Sequence, residues 1–382
     1  MWLGPYTTLD FPQQTPCEFD CVIPALLIVG DAEARLGIRC SMIHIDGAEG
    51  EGGGQILRSS LTLSILTGKP VSLTNIRARR PKPGLMAQHL TAVRAAAAVC
   101  RARVEGAELH SVSLVFAPRT AGSGKFQFDI GTAGSTSLLL QTILLPLSFA
   151  PGESQVIITG GTHVPWSPCF HYLREHWLKA MRQIGFDFDL EMDLAGFYPQ
   201  GGGRIRAGIR PVTEFRPLCL TKRGRLEKIW GFSVVANLDL SIAERQKRQA
   251  LKRLEAMGVA PAIEVMRMPA HSRGTMLLLL AEFERSRCCT YALGARGKPA
   301  EQVADEAVAD LEAFLATGAA VDPYLADQLI LPLALASGSS ELHTSRVTQH
   351  LLTNAEVLRR FLPVQVEISG EVGAPGVVLI EP

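Results

Sequence analysis

The hydrophobic pattern of this chain repeats three times. Each copy opens on glycines or other small residues and passes into an apolar run with helical periodicity. An alternating segment follows, then a second helical run, then a pair of alternating segments. The first copy opens with GAEGEGGGQ. It continues as ILRSSLTLSILTG (helix), PVSLTNIRA (strand) and GLMAQHLTAVRAAAAVC (helix), and RARVEGAELHSVSLVFAP closes it as a hairpin. The second opens with DIGTAGSTS and runs through LLLQTILLPLSFA, SQVIITGGT and CFHYLREHWLKAMRQIG to the pair FDFDLEMDL and GGRIRAGIRPV. The third starts near Val321 with VDPYLADQLILPLALA and SSELHTSRV, continues with TQHLLTNAEVLRRFL, and ends on VQVEIS and GVVLIEP.

Each copy therefore predicts two helices on one face of a small mixed sheet, an α+β unit that needs its neighbours to bury its helices. The helices carrying Pro146 and Pro332 are apolar around their whole circumference, which places them centrally, and a kink is expected at each proline. Between the second and third copies, residues 218–298 read as a compact α/β insert. KIWGFSVVANLD, AIEVMRM and GTMLLLLAEF are its strands. SIAERQKRQALKRLEAMG is an amphipathic helix with Ser241 as N-cap and Gly258 just past its end. EQVADEAVADLEAFLATG leads back to the third copy. The expected organisation is an extension over 1–41, a three-unit body over 42–217 and 299–382, and the insert.

The first 41 residues break the pattern. They begin Pro-, Thr- and acid-rich, and CVIPALLIVGDAEARLG is too short to span a bilayer and lacks the basic start of a signal peptide. This arm is expected to pack poorly, and no membrane segment is expected elsewhere. Apolar residues make up 47% of the 382, enough for a sizeable core. A net charge of +1 excludes a broad nucleic-acid footprint, so any polyanion contact must be local. None of the eight cysteines stands in a CxxC pair, which argues against zinc and fits reduced thiols in a cytosolic setting.

Chemistry concentrates at the openings of the copies. EGEGGGQILRSS lacks the Walker pattern, yet glycines at a helix start offer backbone N–H groups to an anion, and Arg58 follows Gly54 by about one turn. Glu49 and Glu51 can hold a divalent metal that bridges phosphates. Arg77, Arg79, Arg80 and Lys82 form a dense cationic stretch suited to phosphate, with Arg77 and Arg79 on one face if the strand continues through them. Histidine recurs early in the second helix of each copy, as His89, His171 and His350. The helix dipole disfavours protonation there, leaving a neutral imidazole able to attack phosphorus. The pattern does not choose among the three. Tyr324, Asp327 and Gln328 form a polar cluster at the start of an apolar helix, suited to a nucleotide, a metal or simple capping.

Several of these blocks, in this order, resemble the RNA 3′-terminal phosphate cyclases: DGAEGEGGGQILRSSL, IRARRPKPGLMAQHLTAV, GTAGSTSLLLQT, GFYPQGGG, YLADQLILP and HLLTNAEVLRRFLPV. The resemblance runs from Ile43 to the C-terminus. It implies three repeated units akin to the enolpyruvyl transferases plus a small inserted domain. The implied activity is ATP-dependent conversion of an RNA 3′-phosphate end to a 2′,3′-cyclic phosphate through a covalent histidine–AMP. By position, His350 is then the nucleophile and Glu51 the acid that coordinates Mg or Mn. Arg58, Arg77, Arg80, Gln88 and His89 become phosphate and active-site contacts, and Gln141, Pro168, Tyr324, Asp327 and Gln328 lie near the adenylate. The implied partners are ATP and an RNA 3′-phosphate end, in the cytoplasm, without a membrane; an oligomer is compatible with the pattern. The arm 1–41, the loop GEVGAPG and His171 depart from the family pattern. A non-catalytic cyclase-like ribosome-assembly protein and an enolpyruvyl transferase are the rival readings. Retention of His350, Glu51 and the arginines argues against the first.

Overall fold

Three four-stranded sheets of one topology form the body. The first is built from β1 (Ile43–Asp46), β2 (Val71–Thr74), β3 (Arg103–Glu105) and β4 (Leu114–Ala117), in the order β1-β2-β4-β3. β1 pairs parallel with β2, and the other two pairings are antiparallel. A parallel pair needs a crossover, supplied by helix α1 (Gly54–Thr67); α2 (Ala87–Cys100) links β2 to the hairpin. The second unit repeats this with β5 (Gly124–Asp129), α3 (Thr136–Ser148), β6 (Ser154–Gly160), the helix α4, β7 (Phe188–Leu194) and β8 (Gly203–Ile209), in the order β5-β6-β8-β7. α4 begins at Phe170–Tyr172, passes through a π turn at Leu173–Trp177 and continues as Leu178–Gln183. This computed structural model describes residues 41–258 and 260–382, so the expected arm lies outside the described residues except for Ser41.

The third sheet holds the main departure from the sequence expectation. Its first strand is β9 (Cys219–Leu220), which pairs parallel with β14 (Ser340–Thr344) although some 120 residues separate them. β15 (Gln365–Ser369) and β16 (Gly376–Glu381) complete the order β15-β16-β14-β9. The insert thus interrupts the third unit between its first strand and its first helix, rather than separating two copies. Two residues of strand carry too little pattern to be read from sequence.

The insert comprises β10 (Leu226–Ala236), α5 (Leu240–Ala256), β11 (Ala262–Arg267), β12 (Gly274–Phe283), β13 (Arg287–Leu293) and α6 (Ala300–Leu315), with the sheet order β11-β10-β12-β13. The boundary expected at 298 moves, because α6 belongs here. Its Val303, Ala304, Ala307, Val308 and Leu311 pack with Ala250 and Leu254 of α5 on one face of the sheet. That face presents Leu277, Leu279 and Ala281, while Met276, Leu278 and Leu280 point the other way into the core of the body. Burial on both faces explains the unbroken apolar run of β12. The cap expected from Ser241 comes instead from Asp239, which accepts from the Ser241 N–H at 2.9 Å, and Gly258 adopts φ +78° just past the helix as expected.

Helices from all three units meet at the centre, with α1 packed against α2, α3 and α8 (Gln349–Phe361) and α8 also against α7 (Pro323–Leu333). Pro146 stays within α3, and Pro332 within α7. The Thr142 carbonyl, which Pro146 cannot serve, accepts from Thr62 Oγ1 of α1 at 2.8 Å. Among the described residues, no helix is long and apolar enough to cross a membrane.

Candidate active site

α1 and α8 run side by side in the same direction. Near their starts Gln55 Nε2 donates to Asn354 Oδ1 at 3.1 Å, and near their ends Lys69 Nζ donates to the Phe361 carbonyl at 2.8 Å. Their N-termini therefore emerge together, although they belong to the first and third units. α2 and α3 join them: Gln88, in the first turn of α2, accepts from the backbone N–H of Ser135, the N-cap of α3, at 3.3 Å. Four helix starts converge, and each contributes a partial positive charge, which favours binding of a polyanion.

The glycine run fits into this convergence because each member has a neighbour where a side chain would be. A Cβ at Gly54 would stand 2.6 Å from His89 Nε2 and 2.9 Å from Arg58 Nη1; at Gly53, 2.5 Å from both Arg80 Nη2 and Glu51 Oε1; at Gly50, 2.3 Å from Thr353 Oγ1 of α8. Gly50 and Gly52 also hold φ +58°. The loop is thus a backbone surface pressed against two arginines, a histidine and α8.

At its centre Glu51 Oε2 lies 2.9 Å from His350 Nδ1 and 3.1 Å from Arg80 Nη2, while Oε1 accepts from the Gln55 N–H at 3.4 Å. The Glu51 carboxylate is 10% exposed and the His350 side chain 46%, so the imidazole keeps an open face. With Nδ1–H held by Glu51, the lone pair available to a ligand is on Nε2 once its proton is lost. This geometry corrects the expectation that the helix dipole keeps His350 neutral. The hydrogen bond to Glu51 raises its pKa above the ordinary value, against burial, and the charges of Glu51 and Asp327 add to the rise. Burial raises the Glu51 pKa, but the hydrogen bond and charge of His350, with Arg80, bring it below the ordinary carboxylate value.

The surrounding groups are tuned by burial. His89 is 6% exposed, and its Nδ1 accepts from the Met86 N–H at 3.3 Å. Burial, then Arg58 and Arg77, push its pKa down to about 3, so it stays neutral. Burial brings Arg58 down to about 10, still protonated at neutral pH, and its Nη2 donates to Gln55 Oε1 at 2.6 Å. Asp327 lies under α8; burial raises it to about 7, against the hydrogen bond from Thr348 Oγ1 at 2.5 Å. Asn354 Nδ2 donates to the Asp327 carbonyl at 2.9 Å, and Ser59 Oγ donates to Asn354 Oδ1 at 2.6 Å, which locks α1, α7 and α8 together beneath the histidine.

The other candidates divide. Arg77 is not on a strand, since β2 ends at Thr74 and Arg77 takes φ +56° in a series of turns. Its guanidinium donates to the Lys82 and Gly84 carbonyls at 2.8 and 2.9 Å, holding the Pro-Gly turn. Glu49 pairs with Arg360 at 3.4 Å and stands apart from the Glu51–His350 contact. Gln141 Nε2 donates to Gln328 Oε1 at 2.8 Å across α3 and α7. Pro168 precedes Cys169, the N-cap of α4, and its neighbour Ser167 lines a cleft of about 730 Å³ between insert and body, whose walls include Tyr291, Tyr324 and Arg346. His171 is ruled out as a nucleophile: it is 5% exposed, with Nδ1 2.8 Å from His163 Nε2. Among the described residues no cluster of three or more metal-ligating side chains exists.

Sequence reasoning missed the group that fixes α7. Asp322 is buried, its Oδ1 accepts from the Tyr172 hydroxyl at 3.0 Å and caps the N–H groups of Tyr324 and Leu325, and Oδ2 lies 2.5 Å from His176 Nε2. Tyr172 and His176 are four apart on α4, a spacing that gives a shared face but no hint of a partner 146 residues away. Asp322→Ala is expected to cost about 3 kcal/mol, from a lost cap and two buried polar groups left without a partner, measured by denaturant unfolding. A loss below about 1 kcal/mol would mean that α7 is held by packing alone.

The chain matches the family described as RNA 3′-terminal phosphate cyclase over residues 49–368. It is similar to the RNA 3′-terminal phosphate cyclase of Hyperthermus butylicus, 46% identical over 330 residues, which covers 84% of this chain and 92% of that one. The corresponding protein of Methanopyrus kandleri is 43% identical over 352 residues, covering 90% and 99%, and that of Methylococcus capsulatus 45% over 338 residues, covering 86% and 93%. The EPSP synthase of Acinetobacter baumannii aligns at 11% identity and a TM-score of 0.30 over 89% of this chain and 47% of its own; at that score the likeness carries no argument.

Proposed function

Because the chain belongs to the RNA 3′-terminal phosphate cyclase family, we propose that it uses ATP to close an RNA 3′-phosphate end into a 2′,3′-cyclic phosphodiester. The observation that carries this reading is the pair Glu51–His350 at 2.9 Å, set beside the glycine loop at the convergence of the helix N-termini.

The chemistry follows from that pair in three displacements at phosphorus. His350 keeps its Nδ1 proton, which it donates to the Glu51 carboxylate, and its Nε2 attacks the α-phosphorus of ATP. An N–P bond forms, the bond to the bridging oxygen breaks, and pyrophosphate leaves. The glycine loop, Arg58 and neutral His89 receive the negative oxygens; preorganised donors in a partly dry site are worth most when charge is being displaced. The RNA 3′-phosphate then takes AMP from His350, since a phosphoramidate is a reactive donor. Finally the ribose O2′ loses its proton and attacks the activated 3′-phosphorus, expelling AMP. The two reacting atoms belong to one nucleotide, so proximity supplies much of the acceleration.

Glu51 is the carboxylate suited to a divalent cation carried in by the triphosphate, since such cations bind through one or two carboxylates plus phosphate oxygens. Bound there, Mg or Mn would offset charge on the departing pyrophosphate. Tyr324 offers an aromatic face at the cleft wall, with Pro168 beside Ser167, and these suit the adenine; Asp327 and Gln328 follow about one turn along the same helix, and Gln141 donates to Gln328.

The test is direct. A 3′-phosphorylated oligoribonucleotide incubated with the protein, ATP and Mg should become resistant to phosphatase, with one AMP and one pyrophosphate released per end. An end that remains phosphatase-sensitive while ATP is untouched would overturn the reading. A second expectation concerns the loop. Gly54→Ala forces a shift in buried His89 or in Arg58, so KM for ATP should rise by roughly tenfold while the folded state is retained, because Ala in a helix is itself favourable. An unchanged KM would mean that the loop does not touch the nucleotide.

A further inference from the structure

Two aromatic side chains stand uncovered at the seam between body and insert. Trp166 is 99% exposed and Tyr198 is 68% exposed. Single exposed apolar residues are ordinary on a protein surface. These two differ in how firmly their backbone is held. Trp166 adopts φ +63°, a left-handed conformation that costs energy for a bulky residue and marks functional positions. The chain around it is pinned: Ser167 Oγ donates to the Val164 carbonyl at 3.2 Å, the Tyr291 hydroxyl of β13 donates to the Ser167 carbonyl at 2.8 Å, and the His163 N–H donates to the Gly196 carbonyl at 3.0 Å. The neighbours of Tyr198 are equally fixed. The Phe197 N–H donates to Ser272 Oγ at 2.8 Å, and the Gly201 N–H donates to the Phe197 carbonyl at 2.8 Å. His163 and Phe197 form a parallel bridge, so the segments that carry Trp166 and Tyr198 are neighbours.

The insert adjoins these segments. Ser272 sits between His271 and Arg273, both exposed, on the loop that leads into β12. That loop is in close contact with the body, since a Cβ at Gly274 would stand 2.0 Å from the Phe197 ring. On its other side Trp166 borders the cleft that holds Tyr324 and Arg346, and Arg346 lies two residues before Thr348, the N-cap of the helix bearing His350. Aromatic faces and guanidinium groups thus lead from the seam toward the nucleophile.

This interleaving is what single-stranded RNA recognises. Every base has a π face to lay on an aromatic ring, and every phosphate can accept from an arginine fork. A single adenine needs one such platform; two platforms along an edge suit a strand. We propose that the seam holds the RNA leading to the terminal phosphate: bases stack on Trp166 and Tyr198, and Arg273 of the insert meets a backbone phosphate. The inference rests on the reading of the chain as an RNA cyclase and gives the insert a role in substrate binding.

Steady-state cyclisation of 3′-phosphorylated oligoribonucleotides of two to ten nucleotides tests it. In the unaltered protein, KM for RNA should fall as the strand lengthens. In the Trp166→Ala/Tyr198→Ala double variant it should rise by roughly tenfold or more for the longer strands. The length dependence should flatten, KM for ATP should hold within about twofold, and Trp166→Phe should restore most of the affinity. Arg273→Ala should weaken RNA binding and reduce its salt dependence. Equal KM at every length would overturn the inference while leaving the cyclase reading intact. So would a change confined to KM for ATP, or a change of oligomeric state by light scattering with RNA affinity untouched. Failure of the unaltered protein to cyclise any strand would instead sink the reading beneath it.

Discussion

His350→Ala should abolish transfer of label from α-labelled ATP to the protein, by at least about 10³-fold, while the chain stays folded. The imidazole is 46% exposed and its removal leaves no cavity in the core, so the loss would be chemical. In the unaltered protein the adduct should be acid-labile, as a phosphoramidate is, and should disappear when 3′-phosphorylated RNA is added. The two other histidines that share its place in the repeat are poor substitutes. His89 is buried with its Nδ1 engaged by the Met86 N–H, and His171 is sealed against His163. Labelling of His350→Ala at the unaltered rate would remove the nucleophile and with it the proposed mechanism.

Glu51→Gln should have the second large effect. The carboxylate raises the pKa of His350, so the imidazolium persists to higher pH than an ordinary histidine would allow. Attack requires the neutral ring, so the adenylation rate should climb as pH rises through that raised pKa. Removing the negative charge lowers the His350 pKa, and the rising limb should move to lower pH. The maximal rate should also fall, by about 10²-fold, because the ring loses its charged anchor and a bound cation loses its carboxylate. A pH profile that keeps its position, or moves upward, would show that Glu51 does not act on His350. Loss of rate without a shift would leave it only a role toward the cation.

Much of the architecture could be read from the pattern of apolar positions. Long helical runs such as α1 and α3 and the alternating strands of the second unit identify themselves, because each element's burial is written in its own period. The leading strands are harder to read: β1 is four residues long and β9 only two, and β9 finds its partner across the whole insert. α6 looked like a connector, yet it belongs to the insert because its apolar face meets α5 and the insert sheet rather than the body. Arg77 shows the same limit at the level of a side chain. Its place in a cationic run suggests a phosphate ligand, but not that its Nη1 donates to two backbone carbonyls and braces the Pro-Gly turn.

The threefold repeat, the glycine loop and the residue types suited to phosphoryl chemistry are legible along the chain, because composition and spacing are local properties. The repeat pattern alone left three histidines equivalent. Tertiary structure sets them apart by packing α1 parallel to α8, which brings Glu51 to His350 across 299 positions of the chain and leaves His171 in the interior. That same contact reversed the expected protonation tendency of His350. A helix dipole can be inferred from position along the chain, but a carboxylate 2.9 Å away is known only once the units have folded against one another.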